Sequence, residues 1–164
     1  MFTALGHPSA ANAIALDRLR DDILDVSRYT VFEDVVPALE RAKAAGWRNL
    51  IVSNHIPELP SLVDGLDLAR HFDAVVSSGI VGYEKPHRRL FEAALPHVRP
   101  GEPVWMIGDN PDADCRPVCG LGHNAVLVRG AEPGTFEREA VDLLGALDLI
   151  GVRGRSPCAG DART

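Results

Sequence analysis

Four short, almost wholly apolar runs recur along the chain: "NLIVSN" at 49–54, "DAVVSS" at 73–78, "VWMIG" at 104–108 and "NAVLV" at 124–128. Between them lie stretches whose apolar residues are spaced for amphipathic helices, predicted over about 58–70, 86–97 and 112–121, with others at 34–45 before the first run and about 135–147 after the last. A strand that is apolar on both faces must be covered from both sides, and a helical crossover between successive strands leaves them parallel. The pattern therefore predicts an α/β fold, a doubly wound parallel sheet. The helix over 34–45 is the best punctuated, with Asp34 as its cap, Pro37 in its first turn and Gly46 as its stop.

The 164 residues suit one domain with one core. A hydrophobic fraction of 46% and a charged fraction of 24% are those of a soluble globular chain, and a net charge of -6 supplies no basic surface for nucleic acid. No apolar run approaches the roughly 20 residues that span a bilayer, and the N-terminus lacks the basic start and apolar core of a signal peptide, so the expectation is a cytoplasmic protein without a membrane partner. Cys115 and Cys119 stand one helical turn apart rather than as a C-x-x-C pair, and with Cys158 they read as reduced thiols. The six histidines, among them His55, show no H-E-x-x-H spacing; His55 reads as a capping or surface residue beside the strand end. The tail from about 151 has no periodicity and is expected to fray.

In sheets of this kind ligands gather at the carboxyl ends of the strands. Ser53 and Asn54 end the first run, where a hydroxyl, an amide and free backbone N–H groups can converge on an anion, although both residue types also cap helices. Asp109 follows Gly108 at the end of "VWMIG", and Asp112 and Asp114 come within the next turn. Carboxylate oxygens suit hard Mg²⁺; Asp112 alone reads as a helix-start charge. Lysine is nearly absent, only Lys43 and Lys85 against fifteen arginines, so position 85 carries a compact point charge where the composition favours arginine. An anion site beside a divalent cation points to phosphoryl chemistry.

These residues resemble the haloacid dehalogenase-like (HAD) hydrolase superfamily. "LIVSN" is similar to its second motif, "GYEKPHRRLFEAAL" to its third and "VWMIGDNPDADCRPVCGLG" to its fourth, in order over about residues 34–130. The resemblance implies a HAD-like Rossmannoid core and a Mg²⁺-dependent phosphatase acting on a small phosphorylated metabolite. It assigns Ser53 and Asn54 to the substrate phosphate, Lys85 to neutralising nucleophile and phosphate, Asp109 to Mg²⁺ and Asp114 to support of the metal. Dehalogenases share the family, and these motifs do not separate the two chemistries. A receiver-type or nucleotide-binding module would need an acidic pocket or a Gly-rich loop after the first strand, and "VSNHIPELP" offers neither.

One element of the family pattern is not found. Its first motif, an apolar strand ending in Asp-x-Asp-x-Thr or Val, carries the aspartate nucleophile and should precede "LIVSN". Neither "LRDDILDVS" nor "FEDVVPA" in residues 1–48 matches it, and neither does "LLGALDLIGV" near the C-terminus. Without that carboxylate no aspartyl phosphate forms, so the expectation is an inactive isolated chain or, alternatively, a non-catalytic phosphate- and Mg²⁺-binding regulatory or assembly module. By the same resemblance the usual central first strand is missing. The strands ending at Asn54 and Gly108 should then pair directly, or be completed by an oligomer or an N-terminal segment. The organisation predicted is a helical cap remnant over 1–30, helical over about 10–26 with Ile14, Leu16, Leu19, Ile23 and Leu24 on an apolar face, a core over 31–150 and a flexible tail over 151–164.

Overall fold

The computed structural model describes residues 18–130 and 132–152. Among these residues five strands form two parallel sheets rather than one. β1 (Leu50–Ser53) pairs with β2 (Ala74–Ser77) in the register Leu50 to Ala74 and Ser53 to Ser77. β3 (Trp105–Gly108) pairs with β4 (Asn124–Val128), Trp105 opposite Asn124, and β4 pairs in turn with the two-residue β5 (Glu139–Ala140).

Helices cover both faces, as strands apolar on both sides require. On one face α2 (Val35–Ala44) packs Ala38 and Ala42 against Leu147 of α7 (Leu143–Leu149), with Ile107 of β3 beneath. Nearby, α3 (Leu59–Gly65) buries Leu59, Leu62 and Val63 against Ile51 and Val75. On the other face Leu90 of α5 (Arg88–Glu92) meets Val52 and Val76. The neighbouring residues Ile51 and Val52 thus face opposite layers, the alternation of a strand with two buried sides. The four-residue α4 (Ser78–Val81) follows β2, and α6 (Arg116–Gly120) precedes β4.

β4 is the best-shielded strand: Ala125, Val126, Leu127 and Val128 are 0–4% exposed. All four residues of β1 and of β3 are only half-buried, although their composition is as apolar. The difference is positional. Among the described residues β4 has a strand on each side, whereas β1 and β3 each have one.

The direct pairing of β1 with β3 that the sequence left open does not occur. Several helices are also shorter than their periodicity. The stretch at 58–70 splits into α3 and a 3₁₀ turn, Ala69–His71, around Asp67, a non-glycine residue with φ of 57°. The stretch at 86–97 likewise ends in a 3₁₀ turn at Leu95–His97. The helix expected over 135–147 is replaced by β5 and a later α7, whose N-cap Asp142 accepts a hydrogen bond from the Gly145 N–H at 2.7 Å.

Asp34 stands at the N-cap of α2 but makes no capping bond there. Its carboxylate instead accepts from the Leu143 N–H at 2.8 Å and pairs with Arg129, tying α2 to the start of α7. Residues 18–24 are helical (α1), and Leu24 packs on the α3 cluster while Leu19 is 55% exposed; the predicted helix ends early at Asp25, which caps a 3₁₀ turn at Val26–Arg28, and its first part, with Ile14 and Leu16, and the tail with Cys158 lie outside the described residues. Among the described residues no helix is long and apolar enough to cross a membrane.

Candidate functional site

Every residue that the sequence nominated for chemistry sits at the carboxyl ends of β1 and β3. Ser53 closes β1 and Asn54 follows it; Gly108 closes β3 and Asp109 follows it, exposed. A cleft of about 410 Å³ is lined at this end by Ser53, Lys85, Gly108, Asp109 and Asp114 together.

The turn after β3 is a single π-helical turn, Pro111–Cys115, rather than the start of a regular helix. Asn110 shapes it: its side-chain oxygen accepts from the N–H groups of Asp112 and Ala113, both at 2.9 Å, and its own N–H donates to Asp114 Oδ2 at 3.1 Å. Wide winding here carries Asp114 back beneath the strand end, where it is 2% exposed. Close approach requires Gly108, because a Cβ at that position would stand 2.4 Å from Asp114 Oδ2. The Gly-Asp-Asn-Pro run therefore has a steric logic beyond its acids.

Lys85 meets this carboxylate. Its Nζ donates to Asp114 Oδ1 at 2.6 Å, with the two side chains 14% and 3% exposed. The pair is nearly buried, and Asp114 is further satisfied by the Asn110 N–H, as a buried charge must be. Asn54 holds the lysine's backbone at both polar atoms. Its Oδ1 accepts from the Lys85 N–H at 2.6 Å, and its Nδ2 donates to the Lys85 carbonyl at 3.2 Å.

The helix after Lys85, predicted from about 86, starts at Arg88. His87 is the N-cap of α5, its ring nitrogen accepting from Arg89 N–H at 3.2 Å, so Lys85 sits three residues ahead of the helix and points to Asp114. Behind Asn54, the chain at His55 and Ile56 is pinned to the end of β2: the Ser77 hydroxyl lies 2.7 and 2.8 Å from their carbonyls, and His55 N–H donates to Ser78 Oγ at 3.0 Å. The roles expected for His55 were surface or capping; its backbone is the anchor, while its Nδ1 is buried with no hydrogen-bond partner among the described residues.

Asp112, exposed, pairs with Arg116 one turn on and stays out of the cluster. Cys115 is fully buried under Asp114, and burial, reinforced by that neighbouring charge, pushes its thiol up to about 12; Cys119 is exposed. Both thiols are free, and the raised Cys115 thiol is the opposite of a reactive cysteine.

The donor set agrees with Mg²⁺ in kind, being oxygen, and Mg²⁺ sites commonly use one or two carboxylates with water and phosphate completing the shell. Asp109 is the exposed carboxylate, while Asp114 is engaged by Lys85 and Asn110. Among the described residues no group of three or more His, Cys, Asp or Glu is placed to hold a metal by itself.

Sequence reasoning overlooked Asn110, Gly108 as a packing requirement, and Ser77 and Ser78. An Asn-Pro dipeptide directly after a strand is a turn signature that could have marked Asn110.

A sequence profile of the haloacid dehalogenase-like hydrolases matches residues 3–117. Haloacid dehalogenase-like hydrolase domain-containing protein 3 of Mus musculus is 32% identical over 163 residues, which cover 91% of this chain and 64% of that protein. Phosphoserine phosphatase of Thermus thermophilus is 38% identical over 110 residues, 65% of this chain and 44% of that protein. Among solved structures, a HAD phosphatase from Thermococcus onnurineus superposes with a TM-score of 0.69 at 25% identity, covering 76% of this chain and 60% of that one. The chain thus spans about half to two thirds of the length of the proteins it matches.

Proposed function

We propose, from the premise that this chain belongs to the haloacid dehalogenase-like hydrolase family, that it is the motif-bearing part of a Mg²⁺-dependent phosphatase for small phosphorylated metabolites. The observation that carries this reading is the Lys85–Asp114 pair at the mouth of the cleft, with Ser53 and Asp109 flanking it. Phosphatase names among the relatives support it: phosphoserine phosphatase at 38% identity and, in Methanothermobacter thermautotrophicus, glyceraldehyde 3-phosphate phosphatase at 33%.

In this reading Ser53 donates its hydroxyl, and the backbone N–H after it contributes a second donor, to the phosphate oxygens. Asn54 acts through Lys85: by holding both backbone atoms of that residue it fixes where the ammonium stands. Lys85 presents positive charge to the phosphate while Asp114 keeps the ammonium oriented in a poorly solvated position. Asp109, with Asp114 behind it, would hold Mg²⁺, which when bound neutralises phosphate charge.

Hydrolysis also needs a nucleophile, and the only acids lining the cleft among the described residues are Asp109 and Asp114, both already employed. The isolated 164-residue chain is therefore expected to bind without turning over. The same observation favours the second reading, a non-catalytic module that binds phosphate and Mg²⁺ for regulation or assembly.

Hydrolysis of p-nitrophenyl phosphate by the folded chain, with and without Mg²⁺, checks this directly. Background rates in both conditions are expected; Mg²⁺-dependent turnover that disappears in Asp109→Asn would mean that another group serves as nucleophile and that the proposed inactivity is wrong.

A further inference from the structure

Ser53, Asn54 and Lys85 reach the candidate site from two loops, the turn that follows β1 and the turn that precedes α5. The end of β2 lies behind the first of them. There Ser77, Ser78 and Gly79 cradle the backbone of His55, Ile56 and Pro57.

Ser77 caps α4, its Oγ accepting from the Gly79 N–H at 3.2 Å, and keeps its own proton for the carbonyls of His55 and Ile56 at 2.7 and 2.8 Å. The Ser78 hydroxyl serves both ends of one residue: it accepts from the His55 N–H at 3.0 Å and lies 3.2 Å from the His55 carbonyl. The Gly79 N–H donates to that same carbonyl at 2.9 Å. Both serines are buried, so bulk water does not compete for these bonds. Glycine at 79 permits the close approach, because a Cβ there would stand 2.6 Å from Pro57 Cδ and 2.9 Å from the His55 oxygen.

The cradle reaches Lys85 through Asn54. With the His55 backbone held at its N–H and its carbonyl, the neighbouring Asn54 is placed as well, and its short side chain meets the Lys85 N–H at 2.6 Å and the Lys85 carbonyl at 3.2 Å. Asn54 is itself exposed, so burial does not hold it there. The Asn54 N–H meets no backbone acceptor among the described residues, whereas the next N–H along, that of His55, is taken up by Ser78.

We infer that Ser78 is a positioning residue: through the His55 backbone and the Asn54 side chain, its hydroxyl sets where the Lys85 ammonium stands and how the Asn54 N–H is aimed. For its consequence, phosphate affinity, the inference rests on the phosphatase reading above. For the placement of Lys85 it does not, and that part is measured without ligand.

Amide hydrogen exchange at Lys85 is compared in the labelled 164-residue chain for wild type, Ser78→Ala, Asn54→Ala and the double variant. Leu147→Ala, a cavity variant in α7, controls for lost stability alone. Ser78→Ala is expected to speed exchange at Lys85 about tenfold or more, and to weaken inorganic phosphate, read at the Asn54 amide, about fivefold or more; Leu147→Ala is expected to do neither. In the Asn54→Ala background Ser78→Ala is expected to add nothing at Lys85, because the route runs through Asn54. Gly79→Ala, which lifts the loop from the same cradle while keeping both hydroxyls, is expected to repeat the Ser78→Ala pattern.

Exchange at Lys85 that in Ser78→Ala matches wild type or Leu147→Ala would overturn the inference. So would effects that add in the double variant, since the route would then follow the chain through α4. Phosphate affinity unchanged in Ser78→Ala, with the wild type binding, would likewise overturn it. If the wild type binds no phosphate while Lys85 exchange follows the expected pattern, the phosphatase reading falls and the positioning of Lys85 by Ser78 stands.

Discussion

Lys85 and Asp114 depend on each other more than either depends on solvent. With the carboxylate 3% and the ammonium 14% exposed, removing one partner strands a buried charge, which costs about 3–5 kcal/mol in comparable pairs, whereas removing both leaves no charge unpaired. Lys85→Met and Asp114→Asn are each expected to destabilise the chain by that order, and the double variant by less than their sum; urea unfolding of the four proteins measures the coupling.

Asp34 makes a pH-dependent contribution. Burial raises its pKa, but the Leu143 N–H and the Arg129 guanidinium outweigh burial and hold the carboxyl below its ordinary 3.8. A group whose folded pKa is depressed adds stability that is fully present above about pH 4 and lost as pH falls through the folded value. Asp34→Asn is expected to lower stability by about 1–3 kcal/mol at pH 7 and by progressively less below pH 4, as read from melting temperature against pH. Side-chain destinations of this kind were not legible in the sequence. Asp34 looked like a helix cap, and only the fold, by bringing the starts of α2 and α7 together, supplied partners more than ninety residues away.

At the level of elements, the four apolar runs were found within a residue of their observed ends because hydrophobic periodicity and strand length act locally. The run "NAVLV" became β4 without adjustment. Helix lengths were less legible, since the apolar periodicity at 58–70 and 86–97 runs on into 3₁₀ turns, where the winding changes. The stretch over 135–147 misled for another reason: Glu139 and Ala140 add to the edge of β4, a tertiary pairing that propensity does not encode.

Position in the sheet also ranks the strands by stability. β4, flanked on both sides, should show the slowest amide exchange, and Leu127→Ala within it should cost about 2–5 kcal/mol. The cleft-facing amides of β1 and β3 should exchange far faster than those of β4. Comparable protection in all three strands would contradict the two-sheet arrangement.

For the molecule as a whole, the sequence singled out Ser53, Lys85, Asp109 and Asp114 from separate motifs, and the fold brings all four to the lining of one cleft. The sequence did not reveal the division of labour. Asn54, expected to touch a phosphate, spends its side chain on the Lys85 backbone, and Asp114, expected to support a metal, is the counter-ion that keeps the lysine in place. The site is thus a lysine held from three sides, with one exposed carboxylate beside it.

Ser53, Lys85 and Asp109 are proposed to bind phosphate and Mg²⁺ together. Inorganic phosphate titrated into the isotopically labelled chain, with and without Mg²⁺, and followed at the amides of Ser53, Asn54, Lys85 and Asp109, measures it most directly. Shifts confined to those residues, tighter binding in Mg²⁺, and loss of the Mg²⁺ effect in Asp109→Asn with the fold intact are expected. Absence of shifts at these amides, or a Mg²⁺ effect that survives Asp109→Asn, would contradict it.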